Sequence, residues 1–144
     1  MKRHESLIPL SREHHKMLLL AQLLKKDAPA YQGLPLTLKG KWSYAKEMFN
    51  KLIIPHFHKE ETILFARLQE VGIAIDLIYE LKSEHDNILL LFNQITEKAI
   101  EEPEIIHKLA ILLSSHIRKE ERVFFQHIQQ EVSESILSKI KFDQ

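Results

Sequence analysis

Apolar residues recur every three or four positions in four long segments of the chain, and shorter segments without this spacing separate them. Recurrence at that interval is typical of amphipathic helices that bury one face. The pattern predicts helices over residues 11–26, 37–71, 73–100 and 103–131, with a short fifth helix over 133–141. Long helices with short connections favour an all-α fold, an up-down-up-down antiparallel four-helix bundle with a short C-terminal helical extension.

Local signals support these boundaries. Ser11 can cap the first helix, Gly72 is a suitable residue to end the second, and Pro103 lies in the first turn of the fourth. Pro55 falls inside the second helix, where a proline deletes one backbone hydrogen bond and disfavours helical geometry at the preceding residue. We therefore expect a kink just before residue 56.

One histidine interrupts the apolar stripe of each long helix, and in two helices a glutamate follows four residues later. These positions are His14, His56 with Glu60, His85, and His116 with Glu120. Side chains four residues apart lie on one helical face, about 6 Å from each other, so an imidazole and a carboxylate can bind the same ion. Two His-x3-Glu pairs predict two metal ions.

The depth of these residues in the predicted bundle agrees with a shared site. Counted from the connecting loops at 1.5 Å per residue, His85 and both His-x3-Glu pairs lie roughly 20–25 Å along their helices. His14 falls within about two turns of the same layer, although the irregular loop before the second helix makes that count less direct. The four helices are therefore expected to present these side chains to one level of the core.

A single histidine on an apolar face is more often an ordinary core residue than a metal ligand. Four histidines at one depth, together with two glutamates on inner faces, make metal ligation the better interpretation, because a buried carboxylate needs a compensating cation. No Lys or Arg occupies the inner stripes near this layer. Metal binding is therefore favoured over protonated acids or His–Glu hydrogen bonds in a polar core.

Other polar residues receive secondary roles. His15 is the alternative to His14, whereas His4, His58 and His107 are expected at the surface. His127 follows the fourth stripe and is a candidate for a role beside the site or in access to it. Four further acids stand next to the proposed ligands and are candidates to orient imidazoles or to flank the site: Glu13, Glu61, Glu84 and Glu121.

Composition narrows the class of protein. Lys plus Arg and Asp plus Glu each number 20 in 144 residues, and this balance argues against a nucleic-acid partner. No apolar run is long enough for a membrane span or a signal peptide, and the chain has no cysteine. We expect one domain, residues 1–144, in the cytoplasm. Zincin, phosphate-loop and nucleophile-elbow motifs are missing from the sequence, so hydrolase and nucleotide-binding functions have no support.

The order of His14, His56-x3-Glu60, His85 and His116-x3-Glu120 resembles the hemerythrin-like, or HHE cation-binding, family. The resemblance extends over about residues 11–130. It implies a non-haem di-iron site with an oxo or hydroxo bridge, in which Glu60 and Glu120 join both irons. It further implies that His14 and His56 bind one iron and that His85 and His116 bind the other. Nitrogen and oxygen donors without sulfur also suit Mn and tolerate Zn.

The chain departs from the oxygen-carrying members of that family. Those members have a second histidine on the third helix, where this chain has Leu81 and Leu89, and a bridging Asp where Glu121 stands. Its closer resemblance is to members that sense oxygen, nitric oxide or iron, handle iron, or repair damaged iron centres. We expect a di-iron protein that senses, scavenges or buffers iron or a diatomic ligand. The alternatives are an oxidoreductase acting on peroxide or nitric oxide, and a metal-free helical interaction module; no protein partner is indicated.

Overall fold

The structure, a computed structural model, describes residues 2–95 and 101–142; most of these residues are helical, and none of them forms a strand. A 3₁₀ turn, Glu5–Leu7, precedes the first α-helix. The α-helices are α1 (Ile8–Leu24), α2 (Leu38–Met48), α3 (Ile54–Lys59), α4 (Ala66–Glu70), α5 (Ile75–Gln94), α6 (Pro103–Lys119), α7 (Phe125–Glu131) and α8 (Glu134–Leu137).

Three π-helical turns join some of these helices into longer ones. Phe49–Ile53 links α2 to α3, Glu60–Phe65 links α3 to α4, and Glu120–Phe124 links α6 to α7. The described residues therefore form four long helices, which we call the first (α1), the second (38–70), the third (α5) and the fourth (103–131). They form the expected all-α bundle, in which α1 packs against α2 and α6, and α5 packs against α6.

Two apolar clusters fill the bundle on either side of a polar layer. One contains Met17, Trp42, Phe49 and Leu109, and the other contains Leu10, Leu68, Leu81, Phe124 and Ile128. The buried polar side chains lie between them along each helix, as His14 does between Leu10 and Met17. The bundle therefore positions its polar residues in a dry interior, away from both ends.

Several predicted helix ends are wrong. The first helix begins at Ile8 with Pro9 in its first turn, where the missing N–H of proline costs nothing. Ser11 is therefore not a cap, and its hydroxyl instead donates a hydrogen bond to Glu121. The third helix begins at Ile75, after Ala74 in a left-handed conformation (φ 58), rather than at residue 73.

The predicted third and fifth helices are also shorter than expected. The third helix stops at Gln94, because the backbone of Ile95 is extended (φ −78, ψ 118). The rest of its predicted end, 96–100, lies outside the described residues. The predicted fifth helix over 133–141 is only Glu134–Leu137, with Ser133 at its N-cap position.

The disturbance expected before Pro55 takes the form of a π-helical turn. The amide N–H of Ile54 donates to the carbonyl of Phe49, five residues earlier, instead of to a carbonyl four residues earlier. This wider turn ends directly before Pro55, which has no backbone N–H to donate. The same five-residue bond joins the N–H of Phe125 to the carbonyl of Glu120.

These π-helical turns change which residues face the core. One extra residue in a turn rotates the following face by about 100°. Extrapolation of the α-helical stripe places Val123 and His127 inside the bundle, but Val123 is 53% exposed and His127 is exposed. Phe124 and Ile128 are buried in their place. The role beside the site, for which the sequence made His127 a candidate, is therefore wrong.

Among the described helices, none combines the length and the apolar composition needed to cross a lipid bilayer.

The rotated face after Glu120 predicts opposite effects at two adjacent positions. Phe124→Ala should lower the free energy of unfolding by about 3–5 kcal/mol, because it opens a cavity beside Phe65. Val123→Ala should change it by no more than about 0.5 kcal/mol, since that side chain lies largely in water. Urea unfolding of both variants measures the difference. Equal losses at the two positions would contradict the π-helical register.

Candidate metal centre

Six polar side chains from four helices meet in the layer between the two apolar clusters. The first and third helices contribute one histidine each, and the second and fourth contribute a histidine and a glutamate each. All six are between 0 and 2% exposed, and they are His14, His56, Glu60, His85, His116 and Glu120. The structure thus brings together every residue that the sequence singled out as a metal ligand, while His15, the alternative to His14, is exposed.

Each imidazole directs its Nε2 atom toward the two glutamates. The Nε2 of His14 lies 2.9 Å from Oε1 of Glu120, and the Nε2 of His116 lies 3.2 Å from Oε2 of the same residue. The Nε2 of His85 lies 3.1 Å from Oε1 of Glu60, and that of His56 lies 3.4 Å from Oε2 of Glu60. The donor atoms therefore converge on one small volume from four directions.

The donor atoms divide into two overlapping groups. His14 and His56 form one group with both glutamates, and His85 and His116 form the other with the same two glutamates. Within each group, the candidate ligand atoms lie within 4.8 Å of one another. Because Glu60 and Glu120 belong to both groups, their carboxylates are placed to contact two ions at once.

The inner atoms have no hydrogen bonds, although they are buried. This is true of the four Nε2 atoms and of all four carboxylate oxygens of Glu60 and Glu120. The Nε2 contacts of His14, His85 and His116 are short enough for hydrogen bonds, but none of them has hydrogen-bond geometry. Eight unpaired buried polar atoms would be costly in an apolar core, and nitrogen and oxygen atoms in this arrangement are suitable ligands for divalent metal ions. The site therefore fits a metal cluster.

The opposite nitrogen of every ring contacts a second, outer carboxylate. The Nδ1 atom of His56 lies 2.8 Å from Glu13, and that of His116 lies 2.7 Å from Glu84. The other two contacts are His85 Nδ1 to Glu61 at 2.7 Å and His14 Nδ1 to Glu121 at 2.5 Å. Because an ionised carboxylate only accepts, each Nδ1–H donates outward and each Nε2 can present a lone pair inward.

The two halves of the bundle repeat this arrangement. In the first and second helices, Lys59 donates to Glu13 over 2.8 Å. In the third and fourth helices, Lys119 donates to Glu84 in the matching position and also to Glu80. Each of the other two outer acids contacts an imidazole of the opposite half: Glu61 of the second helix contacts His85, and Glu121 of the fourth helix contacts His14.

Aromatic rings hold two of the imidazoles in position. Phe57 stacks on His85 with 3.9 Å between ring centroids, and Phe65 stacks on the same ring at 5.8 Å. Phe125 stacks on His14 at 5.5 Å. These buried rings restrict the rotation of the imidazoles and exclude water from the layer.

The carboxylates strongly affect the protonation of the imidazoles. Burial by itself lowers the pKa of His85, but contacts with Glu120, Glu60 and Glu61 outweigh it and raise the pKa to about 11. The pKa values of the other three imidazoles are also raised against burial, by the glutamates that face them. Burial raises the pKa of Glu60 and Glu120, yet the imidazoles outweigh it and lower both. Without a metal, protons on the imidazoles supply the positive charge.

Some residues of the site were missed or assigned less definitely by the sequence. It marked Glu13 and Glu84 as groups that orient imidazoles, but it did not specify which ring each outer acid contacts. Lys59 and Lys119 were not singled out, although both stand directly before a glutamate in the repeated segments 56–61 and 116–121. Arg3, which contacts Glu121, carries no sequence signal, because it lies outside every repeat.

A family model described as the hemerythrin HHE cation binding domain matches residues 8–128 of the chain. That range contains all four long helices except the end of the fourth, and it contains all six residues of the cluster. No curated protein and no solved structure matches the chain.

Removal of one outer carboxylate should weaken metal binding. Glu13→Gln keeps the size of the side chain but loses the charge-assisted contact that orients His56, so the affinity for Fe²⁺ should fall about 10- to 100-fold. Glu47→Gln is the matched control, because Glu47 pairs with Lys51 on the surface of the second helix. Competition with a ferrous chelator measures both. Equal affinities for the two variants would contradict the orienting role.

Metal uptake should release protons. The pKa of about 11 leaves His85 protonated at pH 7 in the metal-free protein, and the pKa of His14 is raised in the same direction, whereas a metal ion requires a neutral ring nitrogen. Addition of metal in weak buffer with a pH indicator should therefore acidify the solution, and His15→Ala should behave like the natural chain. Uptake without acidification would show that the rings are already neutral.

Proposed function

Because the chain belongs to the hemerythrin HHE cation-binding domain family, we propose that it holds two iron ions in the buried cluster. The ions would serve to sense, scavenge or buffer iron or a diatomic ligand such as oxygen or nitric oxide. The observation that carries this proposal is the set of eight unpaired buried nitrogen and oxygen atoms that face one another.

The proposed ligand roles follow from the two groups of donor atoms. His14 and His56 would hold one ion, His85 and His116 the other, and Glu60 and Glu120 would bridge them. Each ion then has two imidazoles and two shared carboxylates. An octahedral ion would keep open positions for a small ligand.

Charge supports a pair of divalent ions. Six carboxylates lie in or next to the cluster, and Arg3, Lys59 and Lys119 contact three of the outer ones. With neutral imidazoles, three negative charges remain, and two divalent ions with one bound hydroxide would balance them. Iron is proposed over Mn and Zn because the resemblance to hemerythrin implies a di-iron site, although nitrogen and oxygen donors also suit Mn and tolerate Zn. Mn and Zn are outcomes that metal analysis would distinguish.

The protein's own groups would prepare the centre. Bound iron would supply redox and Lewis-acid chemistry. The outer carboxylates hold each imidazole with its Nδ1–H pointing outward, and Phe57 and Phe125 pack on the rings. The apolar clusters above and below the layer exclude bulk water, and this strengthens every charge interaction within it.

Two alternatives use the same residues differently. An oxidoreductase acting on peroxide or nitric oxide, or a protein that repairs damaged iron centres, would need the same open metal positions and a supply of electrons. A metal-free interaction module would leave eight buried polar atoms without partners, which disfavours it. The cytoplasmic location stays a prediction from the sequence.

The test is iron uptake by metal-free protein without oxygen. We expect two Fe²⁺ per chain, and on admission of air a stable near-ultraviolet charge-transfer absorption typical of a bridged ferric pair. Repeated consumption of peroxide or nitric oxide in the presence of a reductant would instead favour the oxidoreductase. Protein that takes up no iron would contradict the proposal.

Adjacent histidines provide the matched variants. His14→Ala should lose at least one iron per chain, because it removes a buried inward-facing nitrogen. His15→Ala should keep both, because His15 is exposed. Helix content measured by circular dichroism shows that both variants are folded. Equal iron contents in the two folded variants would rule out His14 as a ligand.

A further inference from the structure

The two halves of the centre have the same set of ligands, but one pair of outer carboxylates differs in whether a cation contacts it. Glu13 and Glu84 each form an ion pair with a lysine, but Glu121 and Glu61 differ from each other in their cationic partners. Arg3 contacts Glu121, whereas no Lys or Arg within residues 2–95 and 101–142 contacts Glu61. The inference drawn from this difference rests on the proposed function, since it concerns the ions that the centre would hold.

Arg3 binds both the side chain and the main chain of Glu121. Its Nη2 donates to Oε1 and to the carbonyl oxygen of Glu121, each over 3.0 Å. Its Nη1 donates to the side chain of Gln129 over 3.2 Å, and the guanidinium lies 5.2 Å from the ring centroid of Phe125. A planar fork of donors suits this set of contacts, and the single ammonium of lysine cannot reproduce it.

The second oxygen of Glu121 is also occupied. Its Oε2 accepts a hydrogen bond from the hydroxyl of Ser11 over 2.8 Å and contacts Nδ1 of His14. Phe125, which lies under the guanidinium, stacks on the same His14 ring. Arg3 therefore restrains His14 through both the carboxylate and the aromatic ring.

On the corresponding side of the other half the outer carboxylate is less restrained, although Phe57 and Phe65 stack on the His85 ring. Glu61 contacts Nδ1 of His85 through one oxygen, and its side chain is 35% exposed. His116, in the same half, lines a cavity of about 130 Å³ between the third and fourth helices, together with Glu84 and Lys119. The half that contains His85 and His116 therefore has one partly exposed outer carboxylate, and a small cavity lies beside the Glu84–Lys119 pair behind His116.

We propose that Arg3 is a positioning residue that holds Glu121 against His14, so that the ion bound by His14 and His56 leaves the centre more slowly than the ion bound by His85 and His116. The N-terminal segment thereby makes the two metal positions unequal, although their ligands are the same. One ion is retained and the other exchanges.

The experiment measures iron release from protein loaded with two Fe²⁺ per chain under nitrogen. Excess ferrozine, which forms a coloured ferrous complex, is added and absorbance is followed. We expect two phases of equal amplitude. Arg3→Met should accelerate the slow phase about tenfold, the lower end of the effect of groups behind metal ligands, and should leave the fast phase unchanged. The slow-phase rate of Arg3→Lys should lie between the rates of the natural chain and of Arg3→Met.

Matched variants separate positioning from general destabilisation. Lys119→Met removes the cation behind Glu84 and His116, so it should accelerate the fast phase alone. His4→Ala removes the neighbouring side-chain contact with Glu134 but keeps Arg3, Glu121 and the backbone bond from residue 4 to Gln129, so both phases should be unchanged. Arg67→Met removes a surface ion pair with Glu70 and should also have no effect.

The outcomes distinguish this inference from the proposed function. Two bound irons that leave at one rate would overturn the inference and leave iron binding intact. The same holds if Arg3→Met changes both phases equally or neither, or if His4→Ala reproduces its effect. Failure of the natural chain to bind iron would overturn the proposed function itself.

Discussion

Two carboxylates in the middle of an apolar helical bundle determine the rest of this structure. A carboxylate transferred from water to a protein interior costs several kcal/mol unless positive charge and hydrogen bonds compensate for it. Glu60 and Glu120 have no exposure and no hydrogen bond to their oxygens. Their surroundings are therefore organised to supply positive charge, either as protons on four imidazoles or, as we propose, as two metal ions.

Compensation of charge continues outward from these two residues. Each imidazole that faces them is held from behind by a carboxylate, such as Glu13 behind His56. Three of the four outer carboxylates contact a cation in turn, and those cations are partly exposed. Charge thus alternates from the centre of the bundle to its surface. At Glu61, which no Lys or Arg of the described residues contacts, partial exposure to water takes the place of the outer cation.

The π-helical turns link this chemistry to the packing. Two of them begin at the inner glutamates Glu60 and Glu120, and wide turns of this kind are frequent at functional sites. The extra residue lets each helix present its glutamate to the centre and then place Phe65 or Phe124 in the next apolar layer. The site and the core below it therefore use different helical registers on the same helix.

The sequence by itself determined the helical bundle, the family resemblance and the six residues proposed as ligands, because apolar spacing and the repeated His-x3-Glu segments are local properties. The structure brings those six side chains together, while their binding of iron stays a proposal. Only the tertiary structure decided that Val123 and His127 face outward, since a π-helical turn depends on how the helices pack. The tertiary structure alone also decided that Glu61 contacts His85 and that Arg3 binds Glu121. These contacts join residues far apart in the chain, and no sequence period relates them.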